Sequence, residues 1–164
     1  MLKTFNIVIL LFFSFLFLTG CGSKNSEDFF KLFPIGVIEK RGDSTFVKIS
    51  DNYSDGLKGL EEFSHVIVIY WFHENDTPEQ RSILQLKPQY DERNPLTGVF
   101  ACRAPVRPNL IGLSICKILS INDNIVHIDK IDAFNGSPVL DLKPHMPEEY
   151  IPDEILILPD WLKK

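Results

Sequence analysis

Apolar residues along this chain form short runs separated by turn-forming residues, and the spacing typical of long helices is largely missing. The pattern predicts strands, several of them alternating and β-branched, at residues 33–39, 45–49, 64–72, 99–102, 113–121, 125–131 and 139–142. The run at 64–72 is apolar at nearly every position, which indicates burial on both faces. Residues 122–124, Asn-Asp-Asn, predict a hairpin turn between two of the strands.

Helical segments are expected only in the connections. Turn formers followed by Leu57 and Leu60 predict a helical turn over residues 52–62, and residues 76–80 predict a short helix with Asp76 or Thr77 as its cap. Eleven prolines discourage longer helices. The pattern therefore favours an all-β fold over an α/β sheet: a single antiparallel β-barrel domain over residues 33–145 with short helical connections.

The N-terminus has a different character. Residues 7–18 are apolar except for Ser14, they follow a short start that contains Lys3, and they end in Leu18-Thr19-Gly20-Cys21. A basic start, a short apolar run and small residues before the cut predict a secretory signal at residues 1–20. The run is shorter than the roughly 20 residues needed to cross a bilayer.

The Leu-Thr-Gly-Cys sequence resembles the lipobox of bacterial lipoproteins, in which the cysteine is lipidated. This implies a lipid at Cys21, a polar tether over residues 21–32, and a membrane-anchored domain outside the cytoplasm. The alternatives are an ordinary signal peptide, an uncleaved anchor, or a cytoplasmic protein whose start is misassigned. At the other end, residues 146–164 are predicted to form an arm packed on the barrel, because they carry several large apolar side chains: Ile151, Ile155, Leu156, Ile157, Leu158 and Trp161.

Charge and cysteines narrow the function classes. The formal net charge is −5, which argues mildly against a nucleic-acid binder because such proteins usually present a basic surface. Cys102 and Cys116 could pair in an oxidising compartment, but small buried hydrophobes are favoured. No Cys/His spacing predicts a metal site, and no G-x-G-x-x-G segment predicts a Rossmann cofactor site.

Three segments carry candidate chemistry. The first, residues 71–74, places His73 and Glu74 at the end of the apolar strand, where they form either a pocket mouth or a surface turn. The second, residues 98–114, is a proline-stiffened loop with Arg103 and Arg107 four positions apart, and arginine forks recognise carboxylates and phosphates. Those arginines could equally pair with the chain's acids.

The third segment, residues 131–144, centres on a tight turn at Asn135-Gly136, with a positive φ expected at Gly136. Asp132 and Asp141 flank this turn. They are candidates for binding a ribose hydroxyl or an ammonium group, or for accepting a proton, and equally for capping the turn.

Together these segments resemble the TsaA-like domain family. The likeness covers about 110 residues and rests on 34–38 (Pro-Ile-Gly-Val-Ile), 55–65, 70–73, the arginine loop and 140–144 (Leu-Asp-Leu-Lys-Pro). Members of this family are β-barrel methyltransferases that use S-adenosylmethionine to methylate the N6 of threonylcarbamoyladenosine beside the tRNA anticodon. The resemblance implies that fold, that cofactor and tRNA as a partner, with a homodimer whose cofactor site lies near the subunit interface.

The resemblance also implies roles for particular residues. Those that match cofactor-binding positions are His73, Glu74, Arg103, Leu113, Asp132, Ala133, Phe134, Asn135 and Gly136, while Arg107, Asn109 and Lys143 match positions that shape the pocket or face the substrate. Asp141 is the candidate base. The alternative is an envelope lipoprotein that uses the barrel as a small-molecule binding module.

The chain departs from the family pattern in several places. Residues 39–44 pass straight to the next strand, without the longer Pro/Gln-containing loop of the family, and Cys102, Leu110 and Asn135 replace the usual Thr, Pro and Asp. The missing loop predicts weak cofactor binding.

Overall fold

A computed structural model describes residues 30–146 and 157–162 of the chain. The predicted signal peptide, Cys21, most of the tether and the arm residues Ile151, Ile155 and Leu156 lie outside these ranges. None of the helices in the described ranges is long and apolar enough to span a membrane.

The described domain is built on a closed antiparallel barrel, as predicted. Its strands, in chain order, are β1 (Gly36–Arg41), β2 (Ser44–Ile49), β3 (His65–Trp71), β6 (Ile111–Asn122), β7 (Ile125–Ile128) and β8 (Pro138–Pro144). Around the barrel the order is β1-β2-β7-β6-β3-β8, and β8 closes on β1. A separate two-stranded sheet pairs β4 (Gln85–Leu86) with β5 (Thr97–Gly98).

The barrel interior is filled by side chains that alternate along the strands. Buried residues include Ile38, Val47, Val66, Val68, Tyr70, Cys116, Val126, Ile128 and Val139. Leu57 and Leu60 join this core from 3₁₀ helices at Asp51–Leu57 and Leu60–Glu62. The interior is therefore a packed core, and any ligand site must lie at the ends or outside of the barrel.

Tight turns join neighbouring strands where the sequence predicted a hairpin. Residues 123–124 connect β6 to β7, and Asp123 adopts a positive φ of 52°. A second two-residue turn, with Gly42 at φ 58°, connects β1 to β2, so no longer loop separates these strands. Gly36 is required at the start of β1, because a Cβ there would lie 2.3 Å from the Lys48 main-chain oxygen.

The short helix predicted near residue 78 is present as α1 (Pro78–Ser82). Thr77 is its cap, since its hydroxyl accepts a hydrogen bond from the Gln80 amide at 3.2 Å. Pro78 occupies the first turn, where a missing N–H costs nothing.

Three strand predictions were wrong in extent or kind. The strand expected at 33–39 begins only at Gly36. Residues 99–102 are not a strand: Val99–Ala101 form a 3₁₀ helix, because the Val99 carbonyl accepts hydrogen bonds from within its own loop instead of from a neighbouring strand. The strand expected at 125–131 ends at Ile128, after which the Lys117 amide takes the Asp129 side chain as its acceptor.

Only residues 157–162 of the C-terminal arm are described. Ile157 was expected to pack on the barrel but is 95% exposed, whereas Trp161 is half-buried. A singly exposed apolar residue such as Ile157 is common at a protein surface.

Candidate functional site

The main pocket lies where β3 ends, β6 begins and two loops meet. Its volume is about 740 Å³, within the range of small-molecule sites. We call it the main pocket; its lining residues are Tyr70, Phe72, Arg103, Arg107, Ile111, Gly112, Leu113, Ser114, Ile115, Lys130, Ile131 and Asp132. Four residues selected from the sequence therefore meet here: Arg103, Arg107, Leu113 and Asp132.

Tyr70 connects the barrel to the loop that carries Asp132. Its hydroxyl donates to the Asp132 main-chain oxygen at 2.6 Å and lies 3.4 Å from the Ser114 hydroxyl. Burial raises the pKa of Tyr70, so the phenol stays protonated and keeps its donor. Sequence reasoning did not select Tyr70, although a polar tip in an otherwise apolar strand was a usable signal.

Gly112 shapes the wall of the pocket. A Cβ at this position would lie 2.6 Å from the Tyr70 ring and 2.9 Å from the Phe72 ring. These two rings contact each other edge to face, with centroids 5.4 Å apart. The absence of a side chain at Gly112 therefore allows two aromatic rings to pack against the start of β6.

The two arginines of the loop have different environments. Arg107 donates to the main-chain oxygens of Val99 and Cys102, the latter at 2.8 Å, while its Nε is buried without a partner. Arg103 is exposed, and it makes no hydrogen bond or ion pair to any residue that the structure describes. Arg107 thus holds the loop, and Arg103 leaves its guanidinium available to a ligand.

A third arginine, missed by sequence reasoning, fixes the far end of this loop. Arg81 of α1 donates to the Pro108 carbonyl at 2.8 Å, pairs with Asp76 at 2.7 Å, and lies over the Trp71 ring at 5.2 Å. The Arg81 guanidinium and the Trp71 indole lower the pKa of Asp76. The signal in the sequence was weak, because Arg81 lies 22 residues before Arg103 and outside the family-like segments.

The turn after Asp132 packs beside the main pocket but does not line it. Ala133 is buried in the core, Phe134 is 63% exposed, and Asn135 accepts a hydrogen bond from the Lys40 amide at 2.8 Å. Gly136 has φ 84°, as predicted. Only Asp132 of these five predicted residues lines the main pocket.

His73 and Glu74 form a small cluster beside this turn. The His73 Nδ1 lies 3.2 Å from the buried Ser137 hydroxyl, and its Nε2 lies 3.2 Å from the Glu74 carboxylate. A Cβ on Gly136 would be 4.0 Å from the same Nε2. His73 follows the pocket residue Phe72 but does not itself line the main pocket.

Asp141 and Lys143 pair with each other at 2.9 Å, and this contact raises the pKa of Lys143. Asp141 lines a different cavity of about 580 Å³, and in the sheet Ile69 stands between Asp141 and Leu113. Two strand spacings of about 4.8 Å separate those positions. Asn109 is exposed, and its main-chain oxygen accepts from Ile111 at 2.7 Å. The structure therefore does not bring Asp141, Lys143 or Asn109 into the main pocket.

The composition of the main pocket suits a ligand that is part ionic and part planar. Arg103 and Lys130 supply cations, Asp132 supplies a carboxylate, and Leu113, Ile131 and Phe72 supply apolar surface. The buried, unpaired Nε of Arg107 is a further donor. S-adenosylmethionine carries a carboxylate, an ammonium group, ribose hydroxyls and a planar base, so the residues fit it. In residues 30–146 and 157–162 no cluster of three His, Cys, Asp or Glu side chains has the geometry of a metal site.

Comparison with known proteins decides the family. Residues 32–149 match the family model of the tRNA-methyltransferase O N-terminal domain. The chain belongs to this family. Solved TrmO structures share the barrel: that of TrmO from Pseudomonas aeruginosa superposes with a TM-score of 0.59 and 26% identity, covering 76% of this chain and 59% of that one. The TsaA-like resemblance and the barrel fold are thereby confirmed.

Relatives of the TrmO N-terminal domain carry two kinds of name. A probable S-adenosyl-L-methionine-binding protein of Methanocaldococcus jannaschii is 49% identical over 110 residues, covering 67% of this chain and 87% of that protein. A human tRNA (adenine(37)-N6)-methyltransferase is 36% identical over 109 residues, covering 66% of this chain but 24% of that protein. The similarity to the named methyltransferases is thus confined to part of their length.

Both cysteines in the described ranges are free. Cys116 is fully buried in the barrel, and burial together with Asp129 raises the pKa of its thiol to about 12. Cys116 therefore behaves as a small buried hydrophobe, the interpretation favoured from the sequence.

Proposed function

We propose that this chain binds S-adenosylmethionine in the main pocket and transfers the cofactor's methyl group to the N6 of an adenine in tRNA. One observation carries the proposal: Arg103, Leu113 and Asp132, which lie on separate elements, line one pocket of suitable size. The names of the relatives support the cofactor and the substrate class.

The residues of the pocket have separable roles. Arg103 binds the cofactor carboxylate, because a free guanidinium fork matches a carboxylate in a bidentate way. Asp132 holds the ribose or the ammonium group, and its position is fixed by the hydrogen bond from Tyr70. Leu113 and Phe72 pack against the adenine and exclude water from one side.

S-adenosylmethionine supplies an electrophilic methyl group carried on a sulfonium. The protein must place the accepting amine in line with that methyl group and provide a route for the proton that the amine releases. Asp141, the candidate base from the sequence, lines a different cavity, so this proposal gives it no part in the transfer.

Calorimetric titration of the full-length chain with S-adenosylmethionine tests the proposal. Arg103→Ala is expected to weaken binding by about 1.5–3 kcal/mol, the value of a hydrogen bond to a charged group. Arg93→Ala is the matched control, because Arg93 is exposed, pairs with Asp91 and lies outside the main pocket. Absence of binding at millimolar cofactor would refute cofactor use and leave the binding-module alternative, which the relatives' names do not favour.

The methyl acceptor needs its own measurement. Transfer of labelled methyl groups from S-adenosylmethionine to bulk tRNA, followed by nucleoside analysis, should yield a methylated adenosine. Labelling of other nucleosides, or none despite cofactor binding, would contradict the proposed acceptor while leaving the cofactor site intact.

We further propose that the chain forms a homodimer through the outer face of β6. Leu113, Ile115 and Leu119 project from that face and are 48%, 53% and 49% exposed. Leu113 lies opposite half-buried Ile69 of β3, and Ile115 lies opposite Ile67, which is buried. Contiguous exposed apolar surface of this kind marks interaction sites. Leu113 and Ile115 also line the main pocket, so a second copy would cover one side of it.

Leu119→Asp tests this interface, because Leu119 does not line the main pocket. The variant should convert a dimer to a monomer in sedimentation analysis; an unchanged mass would refute this interface.

For the N-terminus, we propose lipidation of Cys21 and anchoring of the domain at a membrane surface. The support is the Leu18-Thr19-Gly20-Cys21 sequence after a short apolar run. Cells that express the wild type or Cys21→Ser should be fractionated. The wild type is expected in the membrane fraction, whereas the variant, which lacks the lipid, is expected outside it. Equal recovery of both forms in the soluble cytoplasmic fraction would exclude the anchor.

A further inference from the structure

A second groove adjoins the main pocket, and apart from Arg103 its residues have no role in the proposed cofactor site. Its volume is about 670 Å³, and we call it the aromatic groove after the residues that define it: Tyr90, Phe100, Arg103, Pro105 and Trp161. Arg103 lines both this groove and the main pocket, so the two cavities share one wall. Whatever occupies the groove is therefore held next to the proposed cofactor.

Two aromatic residues of the groove are displayed to solvent. Phe100 is 83% exposed and Tyr90 is 68% exposed, although both types of side chain are normally at least half-buried. Trp161 adds a third ring from the C-terminal segment. Single exposed apolar side chains are ordinary, but three rings on one groove beside an unpaired arginine form a surface that favours planar ligands.

The backbone holds two of these rings outward. Phe100 lies in the 3₁₀ helix at Val99–Ala101, where buried Val99 faces the core and turns Phe100 away from it. Tyr90 has φ 54° and follows Gln89 with φ 58°, a left-handed pair that non-glycine residues rarely adopt. Strained backbone of this kind tends to persist where it places a side chain for function.

Charge around the groove favours stacking over phosphate binding. Beside Tyr90, Lys87 pairs with Glu92 at 2.6 Å and Arg93 pairs with Asp91, so these cations are already neutralised. Arg103 is the guanidinium left unpaired within the described residues. Unpaired nucleobases stack on aromatic rings and arginine planes irrespective of sequence, and this chemistry matches the groove better than a phosphate track does.

We propose that the aromatic groove binds unpaired nucleobases of an RNA substrate, next to the base that receives the methyl group. This inference rests on the proposed function, since it assigns the substrate-binding surface of the same site. It is also compatible with the acidic chain, because few phosphate contacts predict that RNA affinity falls only slightly as salt is added. A strongly basic surface is then unnecessary.

Binding of full-length protein to labelled bulk tRNA and to a labelled 12-nucleotide single-stranded RNA tests the inference. Phe100→Ala and Tyr90→Ala are each expected to weaken RNA binding about 5- to 150-fold, the range for loss of one stacked base. Phe100→Trp should retain binding. Tyr53→Ala is the matched control. Tyr53 is an exposed ring on the separate cavity that Asp141 lines, so its loss should leave RNA affinity unchanged.

Cofactor titration of the same variants separates the two proposals. Unchanged S-adenosylmethionine affinity together with lost RNA affinity supports the groove as the RNA surface. Cofactor binding by the wild type, with RNA affinity insensitive to both alanine variants, overturns the groove while the proposed function stands. If the wild type binds no cofactor, the proposed function fails, and the RNA measurements still decide the groove.

Two further outcomes count against the groove. If the wild type binds neither RNA, the inference is wrong. If Phe100→Ala changes the sedimentation mass instead of RNA affinity, the groove is covered by a second copy of the chain, and the inference is also wrong.

Discussion

The Tyr70 hydroxyl donates a hydrogen bond to the main-chain oxygen of Asp132 at 2.6 Å, across 62 positions of the sequence. Tyr70 belongs to a strand in the barrel wall, whereas Asp132 lies in the loop that closes one side of the main pocket. The contact therefore makes the position of the proposed ligand-binding carboxylate depend on the rigid barrel.

Tyr70→Phe tests this dependence. The substitution keeps the ring and its contact with Phe72 but leaves the Asp132 carbonyl without its donor, which should cost about 1–3 kcal/mol of folding free energy. Urea denaturation measures that cost. S-adenosylmethionine affinity should also fall, because the loop can move; full stability with unchanged affinity would show that the contact positions nothing.

Gly112→Ala tests the packing of the pocket wall. A methyl group there would lie 2.6 Å from the Tyr70 ring, so the rings must shift, and overpacking of this kind typically costs about 1–3 kcal/mol. Gly56→Ala is the control, because a Cβ at Gly56 meets no atom within 4 Å and its φ is not positive. Equal melting temperatures for the two variants would contradict the assigned contact.

The sequence was sufficient to predict the barrel because local signals agreed with one another. Alternating apolar strands, an Asn-Asp-Asn hairpin and a Thr-Pro helix start each specify their own element, and the structure contains all three. Residues 99–102 show where such signals fail. Their composition suits a strand, but carbonyl contacts from Arg107 and Cys102 turn the segment into a 3₁₀ helix.

The candidate site was predictable only in part. Arg103, Leu113 and Asp132 were selected from sequence and lie together, because each belongs to a segment with a strong local pattern. The different environments of Arg103 and Arg107 were beyond sequence reasoning, since they depend on which guanidinium meets main-chain oxygens in the folded loop. Tyr70 and Arg81 act through partners more than 25 positions away, and no local pattern reports such a contact.

Cys116 is expected to make the stability of the barrel sensitive to alkaline pH. The pKa of its thiol is raised from 9.0 to about 12 in the folded state, so folding favours the protonated form. The stability that this provides is complete below about pH 9, and it is lost as the pH rises from 9 towards 12. Burial of Tyr70 raises its pKa and acts in the same direction.

Cys116→Ala should therefore lose less stability than the wild type between pH 8 and pH 10.5 in urea titrations. Thiol reagents should modify half-buried Cys102 well before fully buried Cys116 in the native protein. Equally fast modification of both thiols would show that Cys116 is not held in the core.

Arg81 is expected to govern the arginine loop without touching the main pocket. Arg81→Met keeps an apolar side chain of similar length but removes the hydrogen bond to the Pro108 carbonyl, the pair with Asp76 and the cation over the Trp71 ring. Because the contact with Pro108 joins a five-residue helix to the arginine loop, its loss should open the loop locally more than it unfolds the barrel.

Limited trypsin digestion measures this opening. Cleavage after Arg103 should be several-fold faster in Arg81→Met than in the wild type, whereas the bond after Arg107 precedes Pro108 and resists trypsin in both. Arg93→Met is the matched control, because Arg93 pairs only with Asp91 in its own turn. The change in global stability should stay below about 1 kcal/mol, as for other partly exposed ion pairs. If cleavage accelerates only in proportion to the loss of global stability, Arg81 supports the whole barrel rather than the loop, and the proposed link from α1 to the main pocket is wrong.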